Sequence, residues 1–522
     1  MAREWTEDEW EQALEQLRTE GTVDAHGVRF DAASVKRLLG AAPRVDDRPH
    51  FTSATFTLAI FGDGTSFVGA TFGDGISFVG AAFGNGASFN GVTFGNKASF
   101  DQATFGNWVG FHEATFGNEA SFYDATFGDI ASFAGATFGD GANFDRAIFG
   151  NGANFGPLLV TGRLTVDGVT LPRPFRVEIS AAEVSAQRMV IPFGATFLLR
   201  WAELNLENSQ VLQPTIVAAL EPPADPRLEL TIARDPETGR PDPRWLHPDT
   251  GELDPRPRLV SLRLVNVENL VLSDVNLAAC RFRGVHNLDR LRWEGSTEFA
   301  PVPRVGPIWW GSRRQALAAE HKWRAARRHS KGWYPPGCRP REESVRDAEP
   351  LEPTKTATLY RALRKAREDA KDEPGAADFY YGEMEMRRFA AAWGAERLLL
   401  TVYWLSCGYA LRAWRAFAWL TALLLIGAFL FATVGFDRSP MRASQPDRLM
   451  PSGQLHYPTV TPSHTTGVDG LEFAVDTSTS LLHTPSDRPL TGSGRVIELA
   501  LRFAGPLLLG LALISLRGRL KR

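Results

Sequence analysis

Cysteine is scarce in this sequence, which contains three in 522 residues: Cys280, Cys338 and Cys407. They lie far apart and form no CxxC pair, so a disulfide framework and a thiolate zinc site are both excluded. Such usage is typical of a protein in a reducing cytosol. An excess of one charge is lacking too, because the formal net charge is −3. That balance argues neither for nor against a nucleic-acid partner.

Catalytic motifs are missing as well. The sequence has no GxGxxG, no GxxxxGK[ST] and no GxSxG, and its ten histidines are scattered without metal-ligand spacing. Its Gly-Asp-Gly and Gly-Asn-Gly steps recur at a fixed interval and each precedes an extended segment, unlike a phosphate-binding loop. The sequence therefore predicts a protein that is not an enzyme, with no catalytic residue, no cofactor and no metal site.

The N-terminal residues lack an apolar leader. Met1-Ala2-Arg3-Glu4-Trp5 is followed by acidic residues, so no signal peptide is expected and the N-terminal part should stay in the cytoplasm. Residues 5–18 are predicted to form a helix, because Thr6 and Glu9 have capping-box spacing. A second helix is predicted from Ala32 to Leu39 with Asp31 as its cap. These helices should cap the start of a repeat region that begins near residue 51; a partner-binding arm is the alternative.

Phenylalanine, in contrast, is abundant and periodic. The gaps between successive phenylalanines alternate six and five, so the true period is eleven residues. A fixed short period indicates a repeat architecture. The periodic positions are Phe61, Phe67, Phe72, Phe78, Phe83, Phe89, Phe94, Phe100, Phe105, Phe111, Phe116, Phe122, Phe127, Phe133, Phe138, Phe144, Phe149 and Phe155.

This period predicts a coil of short straight sides. Apolar residues five and six apart do not stay on one face of an α-helix with about 3.6 residues per turn. Each Phe should point inward at the middle of a side, together with the Ala two residues earlier. The following Gly and Asp or Asn, as in Phe94-Gly95-Asn96, suit a corner that needs positive φ and side-chain-to-backbone hydrogen bonds. Four sides take 22 residues, and coils stack about 4.8 Å apart.

The Ala-x-Phe frame at five-residue spacing resembles the pentapeptide-repeat family. The resemblance implies a mainly β fold, a right-handed quadrilateral β-helix. The alternating six departs from the family's strict five, and we interpret the sixth residue as a corner insertion. The resemblance covers about a fifth of the chain, residues 51–155. It is specific for fold and carries little information on function.

After Phe155 the strict repeat dissolves. Residues 221–258 are rich in Pro, Asp and Arg, which predicts a loop or an inserted hairpin. Five-residue spacing then returns at Leu262, Val267, Leu272, Leu277 and Phe282. One continuous rod is expected, and two separate rods are the alternative.

Residues 301–395 should connect the rod to the rest of the chain. A basic helix is predicted from Arg313 to His329, which suits either an anionic membrane surface or a solvated linker face. A helical hairpin is predicted over 354–395, with a turn at Asp372-Glu373-Pro374-Gly375 and an apolar stripe on its first helix at Leu359, Leu363, Ala366 and Ala370. Glu383 and Glu385 in its second helix are expected on a solvated face.

Two stretches are predicted to span a membrane. Residues 416–436 carry no charge over 21 positions, and residues 496–516 are interrupted by Glu498 and Arg502, which can pair. Residues 398–411 are too short to span and are predicted to be interfacial. Basic residues at Arg412, Arg415 and the C-terminal tail predict that both termini are cytoplasmic, with residues 437–494 outside.

The segment from Gly470 to Leu481 is similar to the pore helix of potassium-channel-like proteins. No Gly-Tyr-Gly follows Thr479, so potassium selectivity has no known chemistry here. The possible pore-loop residues are Asp476, Thr477, Ser478 and Thr479. The run Lys371 to Arg388 resembles the juxtamembrane segment of membrane-attached pentapeptide-repeat proteins from actinobacteria.

Together these features predict a membrane-tethered pentapeptide-repeat scaffold or sensor that presents a cytoplasmic solenoid to an unknown protein partner. The alternatives are a two-span channel-like protein regulated by the solenoid, and a topoisomerase-binding DNA mimic. The expected partners are the plasma membrane, a protein and, through the membrane region, a second copy; no nucleic acid is expected. The predicted domains are 1–45 (helical cap), 46–300 (β-helix, with blocks 51–155 and 259–293), 301–353 (linker), 354–395 (hairpin) and 396–522 (membrane domain).

Overall fold

The computed structural model describes residues 3–171, 173–221, 240, 242, 245–246, 252–303, 314–327, 333, 351–437, 441–442, 448–449, 455–456, 459–460, 467–479 and 490–520. The chain forms two compact units, Met1–Phe379 and Tyr380–Arg522. The boundary between them falls inside a helix, Glu373–Ala390, that belongs to the predicted hairpin.

The first unit is a β-solenoid of about ten turns with helices at its ends, as the sequence predicted. One parallel ladder of short strands consists of Arg29–Phe30, Ile60–Phe61, Ala82–Phe83, Thr104–Phe105, Thr126–Phe127 and Ile148–Phe149. A second ladder consists of Arg48–Phe51, Thr71–Phe72, Thr93–Phe94, Thr115–Phe116, Thr137–Phe138, Phe155–Thr165, Phe175–Ser185, Ala195–Arg200, Thr215–Ala219, Leu270–Ser273 and Arg292–Glu294.

Two further rows of single β-bridges complete the four sides of each coil. Ser66 bridges Ser88 on one of these sides, and Ser77 bridges Ser99 on the other. The remaining paired strands of the first unit are Thr22–Asp24, Arg44–Val45, Ser53–Thr55, Ala142–Asn143, Val190–Ile191, Glu203–Asn205, Gln210–Val211, Arg258–Ser261, Ala300–Pro301 and Gln315–Ala316. The four-sided coil confirms the architecture predicted from the six-and-five spacing.

The phenylalanines form the core of the strict block. All eighteen periodic Phe side chains are buried, and those one coil apart stack face to face, except that the rings of Phe133 and Phe155 meet edge to face. The Phe105 ring centroid lies 4.9 Å from that of Phe83 and 4.9 Å from that of Phe127. This spacing matches the separation of neighbouring coils, so each column of rings is continuous.

The solenoid continues beyond the strict block without a break. Phe155–Thr165 pairs with Phe175–Ser185, and the ladder then runs on to Arg292–Glu294. The expectation of one continuous rod is confirmed, and the alternative of two separate rods is wrong. Leu204 pairs with Leu259, so the intervening residues are an insertion into one coil. Within the insertion Leu246 forms an antiparallel bridge to Leu253, as in a hairpin, and most other residues of 222–251 lie outside the described ranges.

The N-terminal end is closed by helix α1 (Glu7–Glu20), whose predicted capping box between Thr6 and Glu9 is confirmed. Helix α2 (Ala32–Ala41) is capped by Asp31, also as predicted. Strand pairing starts at Thr22, ahead of the predicted boundary at residue 46. The reason is that Thr22–Asp24 and Arg29–Phe30 form a first coil into which α2 is inserted, so no repeat spacing is visible there.

Helices also close the other end of the solenoid. They are α3 (Ala318–Ala325), α4 (Pro353–Asp369) and the start of α5 (Glu373–Ala390). The Arg367 guanidinium lies 4.4 Å from the ring of Trp293 in the last ladder strand and donates to the carbonyl of Thr297. Lys365 pairs with Asp289 of the short 3₁₀ turn Leu288–Arg290 at 2.7 Å. The predicted stripe on α4 is therefore shifted, because Ala370 is exposed while Arg367 is buried.

The second unit is helical. It contains the rest of α5, then α6 (Ala395–Cys407), α7 (Ala413–Leu430, continued by a π-helical turn Phe431–Gly435), α8 (Gly467–Thr479) and α9 (Gly492–Leu520). Two short antiparallel strand pairs lie between α7 and α8: Met441–Arg442 with Thr459–Val460, and Arg448–Leu449 with Leu455–His456. Much of the predicted external loop 437–494 lies outside the described residues.

Candidate functional surfaces

The glycine that follows every second Phe allows neighbouring coils to stack closely. A Cβ atom added to Gly106 would lie 2.7 Å from the carbonyl carbon of Gly84, one coil away. These glycines do not have positive φ; that conformation occurs two residues later, as at Gly64 and Gly86. The predicted reason for this glycine is therefore wrong, since close approach of two backbones requires it and a left-handed conformation does not.

The Asp and Asn residues at the same corners form hydrogen-bonded ladders along the rod. The Asp63 side chain accepts from the backbone N–H of Asn85, and the Asn85 side chain accepts from that of Asn107. The predicted side-chain-to-backbone hydrogen bonds are thus confirmed, and they run between coils. Two ladders occupy opposite corners: 63, 85, 107, 129 and 151 on one, and 74, 96, 118 and 140 on the other.

Two large apolar side chains project from the first of these corners. Trp108 (φ 59°) and Ile130 (φ 62°) occupy the left-handed position that Gly64, Gly86 and Gly152 occupy in other coils. Trp108 is 59% exposed and Ile130 is 52% exposed. They lie on successive rungs, because the Trp108 N–H donates to the carbonyl of Asp129. A left-handed conformation costs a side chain other than glycine roughly 1–2 kcal/mol. Leu58, Lys97 and Glu119 adopt it in the same block, so Trp108 and Ile130 stand out by exposing large apolar side chains on successive rungs of one corner.

The outward faces between corners carry Thr and Ser. Thr104 and Thr115, both exposed, belong to the two opposite ladders. Residues 51–156 contain nine acidic side chains against Lys97 and Arg146, a formal charge of −7. The nine are exposed or half-buried, so the strict block presents an acidic surface, on which Leu58, Val68 and Ile148 are also more than half exposed.

The predicted basic helix is largely a buried ion-pair cluster. Arg314 and Glu320 are both buried, and the Arg314 guanidinium donates to the Glu320 carboxylate at 2.6 Å. Arg324 pairs with the same carboxylate at 2.7 Å, and the Tyr360 hydroxyl donates to it. Burial by itself raises the pKa of Glu320, but the two guanidinium groups outweigh it and lower that pKa to about 2.

This cluster corrects the expectation of a free cationic face. Arg314 is unavailable to a membrane surface because it ties the strand before α3 to α4 through Glu320 and Tyr360. The exposed member is Arg327, which lies over the ring of Trp323 at 4.0 Å. Arg313, Arg328 and His329 of the prediction lie outside the described residues.

The expectation of a solvated face for Glu383 and Glu385 is wrong. Both side chains are buried. Glu383 pairs with Arg387 at 3.1 Å, and Glu385 pairs with Arg388 at 3.0 Å while accepting from the Tyr409 hydroxyl. Each buried carboxylate is thus compensated by a guanidinium one turn later.

Two helices are long and apolar enough to cross a membrane: Ala413–Gly435 and Gly492–Leu516. They correspond to the predicted spans 416–436 and 496–516, and the predicted pair of Glu498 and Arg502 forms at 2.8 Å. Helix α6 covers most of the predicted interfacial segment and exposes Leu398, Leu399 and Val402.

Helix α8 contains the possible pore-loop residues and packs against both long helices. Cβ atoms added to Gly470 and Gly505 would overlap the Ala428 carbonyl oxygen and the Ser478 Cβ, respectively. Asp476, Thr477, Ser478 and Thr479 form the last turn of this helix. Thr477 and Ser478 are buried, whereas Asp476 and Thr479 are exposed. Residues 480–489, where a filter would follow, lie outside the described residues.

The described part of the chain holds no group of three or more His, Cys, Asp or Glu side chains placed to bind a metal ion. Cys280 and Cys407 are free and buried, and burial raises the pKa of the Cys280 thiol.

Sequence reasoning missed Trp108 and Ile130. A signal for them was present, because both fall at the phase of the eleven-residue period that Gly64, Gly86 and Gly152 occupy. A bulky side chain at a glycine phase is the anomaly that would have identified this surface.

The comparisons with known proteins agree with the geometry of the strict block. No curated protein matches the chain. A family model described as "Pentapeptide repeats (9 copies)" matches residues 67–115, 78–126 and 111–157, which together make up less than a fifth of the chain. The repeats of this solenoid are therefore similar to pentapeptide repeats in sequence as well as in fold.

Proposed function

We propose that this protein is a membrane-attached scaffold whose solenoid presents Trp108 and Ile130 to a protein partner. The observation that carries the proposal is the conformation of these two residues. They keep a left-handed backbone that glycine adopts freely, and they expose apolar surface in doing so. Strain of this kind persists where it serves recognition, and exposed aromatic side chains are frequent anchors of protein interfaces.

The chemistry around the two side chains indicates the partner's surface. The strict block carries a formal charge of −7, so a complementary partner would surround an apolar pocket with Lys and Arg. The same acidity fits the alternative of a DNA mimic, but attachment to a membrane would keep the solenoid away from the chromosome.

Attachment to a membrane is supported by the two apolar helices of the second unit. Their exposed side chains include Ile426, Phe429, Phe503 and Leu507, each more than half exposed. Such a surface is unusual in water and ordinary in lipid. Basic residues near the start of α7 and in the C-terminal tail favour a topology with both termini in the cytoplasm.

Site-specific photocrosslinking in cells tests the scaffold proposal. A photoreactive residue at Thr104, four residues before Trp108, should give a discrete protein adduct, and the same residue at Thr115 on the opposite ladder should not. Trp108→Gly should remove the adduct. Glu119→Gly, which relieves the same left-handed conformation (φ 59°) on the other corner, is the matched control and should keep it. Equal adducts at both positions, or an adduct that survives Trp108→Gly, would contradict the proposal.

A second candidate function, a channel-like assembly, is favoured by the position of α8. Its buried face lies against Ala428, well inside one long helix, and against Gly505 in the other. Its opposite face exposes Glu472 and Asp476, which are four residues apart and share one side of the helix. Carboxylates within a membrane avoid lipid, so this face would meet water or a second copy of the chain.

Ion flux through purified protein in liposomes tests the second candidate. Flux that disappears when residues 437–494 are deleted would support this candidate. A reduced preference for cations in a Glu472→Gln, Asp476→Asn variant would indicate that the ion pathway runs beside α8. The absence of flux for common cations and anions would leave the scaffold proposal standing alone.

A further inference from the structure

A cleft of about 500 Å³ lies where α5 ends and α6 begins, in the second unit. Its lining combines two guanidinium groups, those of Arg388 and Arg397, with the aromatic rings of Phe389 and Trp393 and the apolar side chain of Leu398. Cationic and apolar groups thus meet in one concave surface, which suits a ligand that is anionic at one end and apolar at the other.

The two arginines of the cleft differ in how they are held. Arg388 is fixed by its pair with Glu385 and lies over the ring of Trp404 at 4.5 Å. Arg397 lies over the indole of Trp393 at 4.5 Å. Among the residues that the structure describes, no carboxylate pairs with Arg397. Its guanidinium is oriented by an aromatic face while its positive charge stays uncompensated, so it remains able to bind an anion.

The apolar surface continues from the cleft along α6. Leu398 is 66% exposed and Leu399 is 69% exposed, and Val402 follows one turn later. Trp393 at the rim is 89% exposed. In a helix that lies on a membrane surface, Trp and Arg contact the headgroups and leucines contact the acyl chains. Trp393, Arg397 and the exposed leucines are arranged in that order.

We propose that this cleft binds the phosphate of an anionic phospholipid headgroup, with the acyl chains running along the exposed side of α6. The inference rests on the proposed membrane attachment and adds a specific lipid site to it. The Arg397 guanidinium donates two N–H groups to the phosphodiester oxygens, a geometry that a guanidinium matches well. Arg388, which is already paired with Glu385, places a second guanidinium in the lining of the cleft. The exposed leucines have no role with a free phosphate ion, which is why a lipid is the favoured ligand.

Lipid retention by the full chain tests the proposal. The protein in a non-ionic detergent is exchanged against equal phosphatidylglycerol and phosphatidylcholine, and retained lipid is counted by native mass spectrometry. The wild-type chain should retain phosphatidylglycerol preferentially, and Arg397→Gln should lower that preference about fivefold, as expected for one arginine at an anionic surface. Arg387→Gln is the matched control, because Arg387 precedes a lining residue on α5, pairs with Glu383 and does not line the cleft. It should keep the preference within about twofold, because the charge that it removes lies outside the cleft.

Further arms separate the alternatives. Arg397→Lys keeps the positive charge but loses the two parallel N–H donors of the guanidinium. It should recover part of the preference if both the charge and the donor geometry contribute to binding. Equal preference in wild-type protein and Arg397→Gln would overturn the proposal, as would an equal loss in Arg387→Gln. Displacement of the lipid by millimolar inorganic phosphate would reassign the cleft to a free anion. If the wild-type chain fails to float with vesicles, the membrane attachment itself is wrong, a result distinct from loss of headgroup preference.

Discussion

The solenoid has a strict half, the block of residues 51–155, and an irregular half, from Phe175 onward. Both halves fill the interior of their coils with apolar side chains, but the coils differ in length. In the strict block partners are 22 residues apart, as in Phe83 with Phe105, and every side is filled by Phe. From Phe175 onward most partners are 20 residues apart, as in Val184 with Leu204, and the sides are filled mainly by Leu, Val and Ile. The two extra residues per coil fall one at each of its two Gly-Asp or Gly-Asn corners.

Coil length and the size of the core side chains vary together in this solenoid. A longer coil encloses more space, and an interior must be filled to the density of an organic crystal, so the wider coil requires the larger side chain. The longer coil also requires glycine where its corners stack, because Gly84 and Gly106 bring two backbones together. The shorter coils lack this glycine in every turn, although Gly194 makes a similar close approach to Pro214.

The largest expected effect comes from the charged cluster that closes the irregular half. Glu320→Gln leaves Arg314 and Arg324 without their shared carboxylate in a buried site, which should cost about 3–5 kcal/mol. Hydrogen exchange should show α3 and α4 losing protection while the strict coils keep theirs. An equal loss of hydrogen-exchange protection in both halves would contradict the expectation that the cluster stabilises only the irregular half.

The same cluster predicts a dependence on pH. The folded-state pKa of Glu320 is about 2, below its usual value of 4.5, so its contribution to stability is present above pH 4.5. That contribution should be lost as the pH falls from about 4.5 towards 2. Wild-type protein should then approach the exchange pattern of Glu320→Gln, and the variant itself should change little over the same range.

The second largest effect on stability is expected at the glycines that follow Phe in the strict half. Gly106→Ala should destabilise the solenoid by about 3 kcal/mol, because its Cβ meets backbone that cannot move aside. Gly86→Ala, in open space at φ 69°, is the control and should cost only about 1 kcal/mol of conformational strain. Thermal unfolding monitored by circular dichroism measures both. Equal costs would mean that the close stacking of coils does not select glycine after Phe.

Exchanging core residues between the halves tests the relation of coil length to side-chain size. Phe105→Leu should leave a gap in the wider coil and cost about 2 kcal/mol. Leu204→Phe should overfill the narrower coil at about the same cost. A neutral or stabilising Leu204→Phe would show that the irregular half has room for an aromatic core, and coil length would then not determine side-chain size.

The smallest expected effect has the opposite sign. Trp108→Gly should stabilise the strict half by up to about 1 kcal/mol, because glycine takes the left-handed corner without strain. Glu119→Gly should stabilise it similarly, since Glu119 has the same conformation. A rise in the unfolding midpoint for both, with loss of the crosslinked partner for Trp108→Gly alone, would separate strain from recognition.

Much of this fold could be predicted because its signals are local and repeated. Each inward Phe is one instance of a pattern seen eighteen times, and the Thr6–Glu9 cap is contained within four residues. The first coil was not predictable, since α2 is inserted in it and Phe30 has no neighbour at repeat spacing.

The surfaces were harder to predict than the core. The basic run around Arg314 gives no sign that Glu320 and Tyr360 bury it, because Tyr360 lies 46 residues away in sequence. Arg388 and Arg397 are likewise brought into one cleft by the angle between two helices, which sequence spacing does not encode. Trp108 and Ile130 are the exception, because the eleven-residue period itself shows a bulky side chain at a position that other coils give to glycine.

The Phe, Gly and Asn/Asp pattern repeats every eleven residues, yet a coil closes only after 22. A duplication or deletion of one genetic period therefore changes the rod by half a turn while every inward residue still finds an equivalent neighbour. Such an event would be nearly silent for folding. It would, however, swing every later outward residue to the opposite side of the axis, so Ile130 would leave the ridge of Trp108 for that of Glu119. Adding or removing one period would thus reposition the proposed binding surface without redesigning the core.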